Sequence, residues 1–194
     1  MTRFSAILDA CVLVPVTLAE TLLRIAEAGL YRPLWSAQIL TEVAHAIEAV
    51  HPDLPTGAAR RRVAAMDEAF PDASVSGWEY LMAAIDLPDL GDRHVVEAAV
   101  TGRADVVVTA NLKDYPADVL AQYDLEVQSP DVFLLHQLDL DPANVMTALS
   151  RQARSAHKPA WALDELLSGL SRCGVPEFAQ AARAQKWRTE HLQR

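Results

Sequence analysis

Cysteine is nearly missing from this 194-residue chain, which has Cys11 and Cys173 and no others. Two thiols make neither a disulfide framework nor a zinc site, so buried free thiols in a reducing compartment, the cytoplasm, are the ordinary reading. Long apolar runs are absent as well. The longest uncharged stretch near the N-terminus, residues 10–19, is half of the ~20 residues a membrane span needs. No basic segment precedes it, so neither a signal peptide nor a membrane partner is expected. Glycine is sparse, at 7 residues, and none of it forms a phosphate-cradling loop. Serine–histidine–aspartate or cysteine–histidine catalysis has no support beyond the residues existing. Positive charge is the last scarcity: 17 Lys+Arg stand against 26 Asp+Glu, a net charge of −9. What is present is 51% hydrophobic residues without low-complexity tracts, which excludes disorder and suffices for a sizeable core.

The charge is unevenly spread. Residues 1–140 hold 9 basic and 21 acidic residues, a net of −12, whereas residues 141–194 hold 8 and 5, a net of +3. An acidic body with a mildly basic end fits a carboxylate cluster that gathers metal ions, with positive charge supplied elsewhere. Drift of surface charge is the bland alternative.

Hydropathy patterning predicts alternating strands and helices. A buried strand is expected over 4–8, ending on Asp9, and a helix over 18–28, closed by Gly29. Ser36 can N-cap a helix reaching Val50, and Thr56 opens another to Phe70 that carries Arg60, Arg61 and Arg62. A short helix is predicted over 77–85, a turn over 87–91, and a helix from Asp92 to Gly102. The three valines of 106–108 mark the clearest buried parallel strand. After a loop at 110–114 come a short helix from Pro116, a strand over 125–128, and a helix over 129–138 with Ser129 and Pro130 as its start. Asp141 and Pro142 begin an all-helical stretch, with helices expected at about 143–154, 160–170 and 176–188. The expected class is therefore α/β with a central, mainly parallel sheet over 1–140, plus a C-terminal helical extension over 141–194. In such sheets, sites lie off the C-terminal strand ends, where Asp9 and the 111–114 loop both fall.

Singly, the acids have dull explanations: Asp89 or Asp92 as a helix N-cap, Glu42 on a solvated helix face, Asp114 in a loop. Jointly, a strand-end Asp9, a helical Glu42, a helix-start Asp92 and a second strand-end acid, Asp114, supply the oxygen ligands that Mg²⁺ or Mn²⁺ prefers. His94 reads as an exposed residue of a first helical turn more readily than as a phosphate contact. The arginine run at 60–62 reads as a solvated helix face. A haloacid-dehalogenase-like phosphatase is disfavoured, because Cys11 stands where that site needs a second aspartate.

Asp9 after an apolar strand, Glu42 in a later helix and Asp92 opening another resemble the acidic pattern of PIN-domain nucleases. So do residues 87–99, Leu-Pro-Asp-Leu-Gly-Asp-Arg-His-Val-Val-Glu-Ala-Ala, and residues 104–116, Ala-Asp-Val-Val-Val-Thr-Ala-Asn-Leu-Lys-Asp-Tyr-Pro. The second passage is similar to the branch that holds VapC-type toxins of bacterial toxin–antitoxin pairs, and the C-terminal segment resembles the extension of longer members. The resemblance spans roughly residues 4–137 and implies a three-layer α/β/α domain. It implies a Mg²⁺- or Mn²⁺-dependent endoribonuclease that leaves 5′-phosphate and 3′-hydroxyl ends, with a VapB-like antitoxin and RNA as partners. Asp9, Glu42, Asp92 and Asp114 would then be the metal-binding and catalytic set, and Asn111, Thr109, Arg93 and Lys113 substrate-side residues. Asn111 departs from the pattern, since many PIN domains carry an aspartate there, and Asp114 can restore the charge. Three alternatives stay open: a PIN-type nuclease that processes RNA or DNA without an antitoxin, an inactive nuclease-like binding module, and a homodimer as the assembly.

Overall fold

The computed structural model describes residues 4–78, 85, 87–156 and 160–193, so most of the helix expected over 77–85 lies outside the described residues. The chain divides into two compact units, residues 1–14 with 32–128 and residues 15–31 with 129–194.

The first unit is an α/β layer built on a parallel five-stranded sheet. Its strands are β1 (Ser5–Leu8), β2 (Arg32–Ser36), β3 (Ser74–Val75), β4 (Val106–Val108) and β5 (Glu126–Gln128), in the spatial order β3-β2-β1-β4-β5. Every residue of β1 and β4 is buried, which is why both strands read as unbroken apolar runs rather than alternating ones. The unit's helices are α1 (Ala10–Leu13), α3 (Ala37–Val50), α4 (Ala58–Ala69), α5 (Arg93–Gly102) and α6 (Ala117–Leu120). Ser36 caps α3 as expected, its hydroxyl accepting from the Ile39 amide at 3.2 Å.

Strands β2 and β3 and the single-turn α1 went unanticipated. Proline cannot donate to a ladder, so Pro33 is an unusual residue for a strand at 32–36. The register removes the objection. The amides of Arg32 and Trp35 point to opposite neighbours, to Phe4 of the β1 chain segment and to Ala73 before β3. Pro33 shares the side of Trp35, and β3 pairs only with Trp35 and Ser36, so no ladder bond is lost at Pro33. Gly102 ends α5 for packing rather than for its backbone angles. A Cβ there would lie 2.8 Å from Val75 Cγ2 and 3.1 Å from Leu34 Cδ1, and the left-handed residue is the next one, Arg103 (φ 53°).

The arginine run is not uniformly solvated. Arg60 and Arg61 are exposed, but half-buried Arg62 donates to the carbonyls of Leu13 (2.7 Å) and Val14 (3.0 Å) at the end of α1. Those carbonyls have no helical partner, so Arg62 caps the short helix that follows Asp9.

The second unit comprises α2 (Val16–Glu27), α7 (Pro130–Leu140), α8 (Pro142–Ala156), α9 (Leu163–Arg172) and α10 (Pro176–Ala184), then a 3-10 segment, Lys186–Gln193. Gly29 closes α2 at φ 90°, and Ser129 caps α7 through the Val132 amide. Asp141 caps α8 through the Asn144 amide (3.0 Å). Asp131 of α7 accepts from the amides of Glu177 (3.1 Å) and Phe178 (2.8 Å), supplying the first turn of α10 with acceptors. Inside the unit, Thr21 of α2 donates to Gln152 of α8 at 2.7 Å, a satisfied buried pair. Helix was expected to run on to 188, but the chain tightens after Gln185, and the Arg188 amide bonds the Gln185 carbonyl. Trp187 is 59% exposed with the Arg188 guanidinium 4.3 Å from its ring centroid, so it does not pack the segment down. Two of the basic residues are engaged internally, Lys186 with Asp164 and Arg183 with Ser168. No helix among the described residues is long and apolar enough to cross a membrane.

Candidate active site

The sheet's C-terminal edge gathers the acids, and Asp9 sits at its centre. Its amide donates to the Val108 carbonyl (3.1 Å), extending the β1–β4 pairing by one residue and placing Asp9 beside Thr109. The Thr109 hydroxyl donates to Asp9 Oδ2 at 2.6 Å, and the Cys11 thiol donates to the same oxygen at 3.2 Å. Thr109 Oγ1 accepts from the Asn111 amide (3.1 Å), and Cys11 Sγ from the Ala110 amide (3.2 Å). Burial, and then the Asp9 charge, push the Cys11 thiol up to about 12, so it stays protonated and acts as a donor. Thr109 is fully buried with its hydroxyl spent on these bonds, a brace for Asp9 rather than a surface for substrate.

Asp92, half-buried between a 3-10 turn (Leu90–Asp92) and α5, makes no capping bond, whereas Asp89 caps that turn through the Gly91 amide (2.7 Å). Burial raises the Asp92 carboxyl to about 6, and the charges of Asp9, Asp89 and Asp114 push the same way against a smaller opposing effect of His94. Three carboxylates are thus near enough for their charges to act on Asp92. Asp114 ends a 3-10 turn (Leu112–Asp114), its charge felt at Asp92. Asn111 and Lys113 are exposed on the same loop.

Glu42, on α3, has a side chain 40% exposed; its Oε1 accepts from Gln38 Nε2 at 3.2 Å and lies 2.9 Å from His94 Nε2. His94 therefore is not the exposed first-turn residue its sequence context suggested: it is 5% exposed, against Glu42 and near Trp78. Polar residues that flank a helix start read as solvent-facing, and only the fold, which brings Glu42 within 2.9 Å, reveals the partner. Arg93 is half-buried, and its charge acts on Glu97 four residues along α5.

Two further groups escaped notice in the sequence. Glu97 is fully buried with neither oxygen hydrogen-bonded among the described residues, and burial pushes its carboxyl up, tempered by His94 and Arg93. Tyr115 is 1% exposed, its hydroxyl lacks a partner among the described residues, and burial together with the charges of Asp9, Asp92, Cys11 and Glu42 pushes it well above its ordinary value. Its place directly after Asp114 was the available signal.

In donor type and charge the acids fit a hard divalent cation, because burial and then the like charges raise Asp92, and such an ion would offset both. Among the described residues no three side chains close to metal-ligand spacing.

A family model described as the PIN domain matches residues 5–113, and one described as the VapC50 C-terminal domain matches residues 130–184. The chain belongs to the PIN-domain family. It is 39% identical over 107 residues to a Mycobacterium tuberculosis protein named "Putative ribonuclease VapC50", a match covering 55% of this chain and 62% of that protein. The match thus spans less than two thirds of the relative's length. No solved structure gives a significant match.

Proposed function

We propose that the chain is a Mg²⁺- or Mn²⁺-dependent endoribonuclease, the toxin of a cytoplasmic VapBC-like toxin–antitoxin pair that a VapB-like antitoxin restrains. The observation that carries this reading is a half-buried Asp92 on which the charges of Asp9, Asp89 and Asp114 converge, beside an Asp9 braced at the end of β1, in a chain of the PIN family. The similarity to a protein named a ribonuclease supports RNA as the substrate. Asp9, Glu42, Asp92 and Asp114 would hold the ion. When bound, such an ion supplies an activated water and neutralises charge developing on the phosphate. The chain's own groups do the positioning. Thr109 and Cys11 hold Asp9 by one oxygen, and the exposed Asn111 amide and Lys113 ammonium stand ready for the phosphodiester backbone, with Arg93 adding positive charge nearby.

Purified protein should cleave RNA with Mn²⁺ and not with chelator, leaving 5′-phosphate and 3′-hydroxyl ends. Co-expression of a small open reading frame beside its gene should relieve growth arrest. Metal-independent cleavage would remove the metal-nuclease reading. Arrest that no neighbouring frame relieves would leave a processing nuclease. The neutral Asn111, together with ligands that do not close around an ion, favours an inactive binding module as the second reading. Absence of cleavage despite RNA binding would establish it.

Asp114 should matter more to activity than Asn111, because only Asp114 places a charge against Asp92. Under saturating metal, Asp114→Asn is expected to lose at least about tenfold in kcat and Asn111→Ala less. The reverse order would make Asn111 the ligand position.

A further inference from the structure

The hydrogen bonds at two of the acids share a pattern. Both donors to Asp9, Thr109 and Cys11, go to Oδ2. At Glu42, Gln38 donates to Oε1 and His94 Nε2 lies 2.9 Å from the same oxygen. One oxygen of each carboxylate is doubly engaged within the protein, while Oδ1 and Oε2 have no partner among the described residues.

The Glu42 half needs explaining, because its side chain is 40% exposed on a helix face and has three rotatable bonds. Fixing such a side chain costs rotamer freedom. An unassisted glutamate would meet that cost at the moment of ligation. His94 meets it beforehand. Its ring is buried, packed near Trp78 (centroids 6.0 Å apart), and carried on α5, which packs on β1, β2 and β4. Nε2 is the ring atom that faces the Glu42 carboxylate, an acceptor, so it is the nitrogen able to donate there. Nδ1 is buried without a partner among the described residues, so the Glu42 contact is the polar contact described for the ring. His94 is also two residues from Asp92, so one bond fixes Glu42 on α3 relative to an acid on α5.

We infer that His94 is a positioning residue, holding Glu42 by Oε1 so that Oε2 is presented to a divalent cation. This inference rests on the metal-site reading proposed above. It gives a purpose to a buried imidazole that a purely structural role leaves half-satisfied, because an apolar side chain of similar shape would fill the space without an orphaned nitrogen.

The test is Mn²⁺ affinity of the full chain, measured from the electron paramagnetic resonance signal of free Mn²⁺. His94→Phe keeps a ring beside Trp78 and removes the donor. It should weaken Mn²⁺ binding about 10- to 100-fold while leaving the metal-free melting temperature unchanged or higher. His94→Gln, whose amide nitrogen can reach the place of Nε2, should recover most of that loss. In a Glu42→Ala background, His94→Phe should cost nothing further, since His94 acts through Glu42. If near-ultraviolet circular dichroism shows that His94→Phe does not fold, His94→Leu serves in the same comparison. Mn²⁺ affinity of the donor-less variant within threefold of the parent, or an undiminished loss in the Glu42→Ala background, overturns the inference and leaves the metal-site reading intact. A parent chain that binds no Mn²⁺ overturns both.

Discussion

Asp92→Asn should abolish RNA cleavage and yet make the metal-free protein more stable at neutral pH. The two effects share one cause. Losing a ligand carboxylate should cost more than the roughly 10- to 100-fold that second-layer partners of a metal contribute, so a fall beyond about a hundredfold is expected. The stability effect follows from the Asp92 carboxyl, raised to about 6 by burial and by the charges of Asp9, Asp89 and Asp114. A carboxyl raised in the folded state is bound more tightly to its proton there than in the unfolded chain. Its contribution is therefore full below the unfolded value near 3.8 and is lost as pH rises through about 6. At pH 7 the ionised group opposes folding, by on the order of 1 kcal/mol after allowance for its partial exposure. Asparagine removes that opposition, so the metal-free variant should melt a few degrees above the parent at pH 7 and should flatten the parent's decline between about pH 4 and 6. Adding Mn²⁺ should reverse the order, because only the parent gains binding free energy. Calorimetric melts with and without Mn²⁺, beside a cleavage assay, check both halves. Full activity of Asp92→Asn with either metal would remove the metal-nuclease reading.

Sequence patterning reveals some of this molecule and hides the rest for physical reasons. The valine strand, the Ser36 and Ser129 caps and Gly29 at the end of α2 were legible because each is a local solution to a local problem. Strand β2 was not, since Pro33 is harmless only because β3 begins two residues further on, a fact of the sheet rather than of the segment. The acids were named from motif spacing, and the charges that act on Asp92 bear on that choice. What spacing could not supply is the bracing. Cys11 reads as an ordinary buried thiol until Asp9 Oδ2 is found 3.2 Å away. His94 reads as a surface residue until α3 brings Glu42 to it. Such partners lie far apart in sequence, and no periodicity marks them.

Truncation after Leu140 should not leave a folded protein, although the Asp141–Pro142 helix start suggests a clean joint there. The reason lies in α2, which precedes most of the sheet in sequence but is grouped with the C-terminal helices in one compact unit. Its buried residues Leu18, Leu22 and Ile25 belong to the same core as Val145, Met146, Leu149, Leu166, Leu167, Leu170 and Phe178, all essentially inaccessible to solvent. Cutting at 140 deletes the second group outright and strands the first, together with the Thr21 hydroxyl, whose acceptor Gln152 goes too. Truncating one buried leucine to alanine costs about 2–5 kcal/mol, while a whole domain is stable by about 5–15 kcal/mol. Removal of seven such side chains exceeds the stability available. The shortened chain should therefore be recovered in inclusion bodies, or, if kept in solution, should lack near-ultraviolet circular dichroism and a cooperative melt. A soluble, cooperatively melting fragment would show instead that residues 1–140 carry a self-sufficient core. If the fragment fails as expected, the part played by the basic residues of 141–194 in holding RNA is accessible only through point substitutions in the full chain. Arg151 is the better choice there, being exposed, whereas Arg183 and Lys186 are already engaged within the unit.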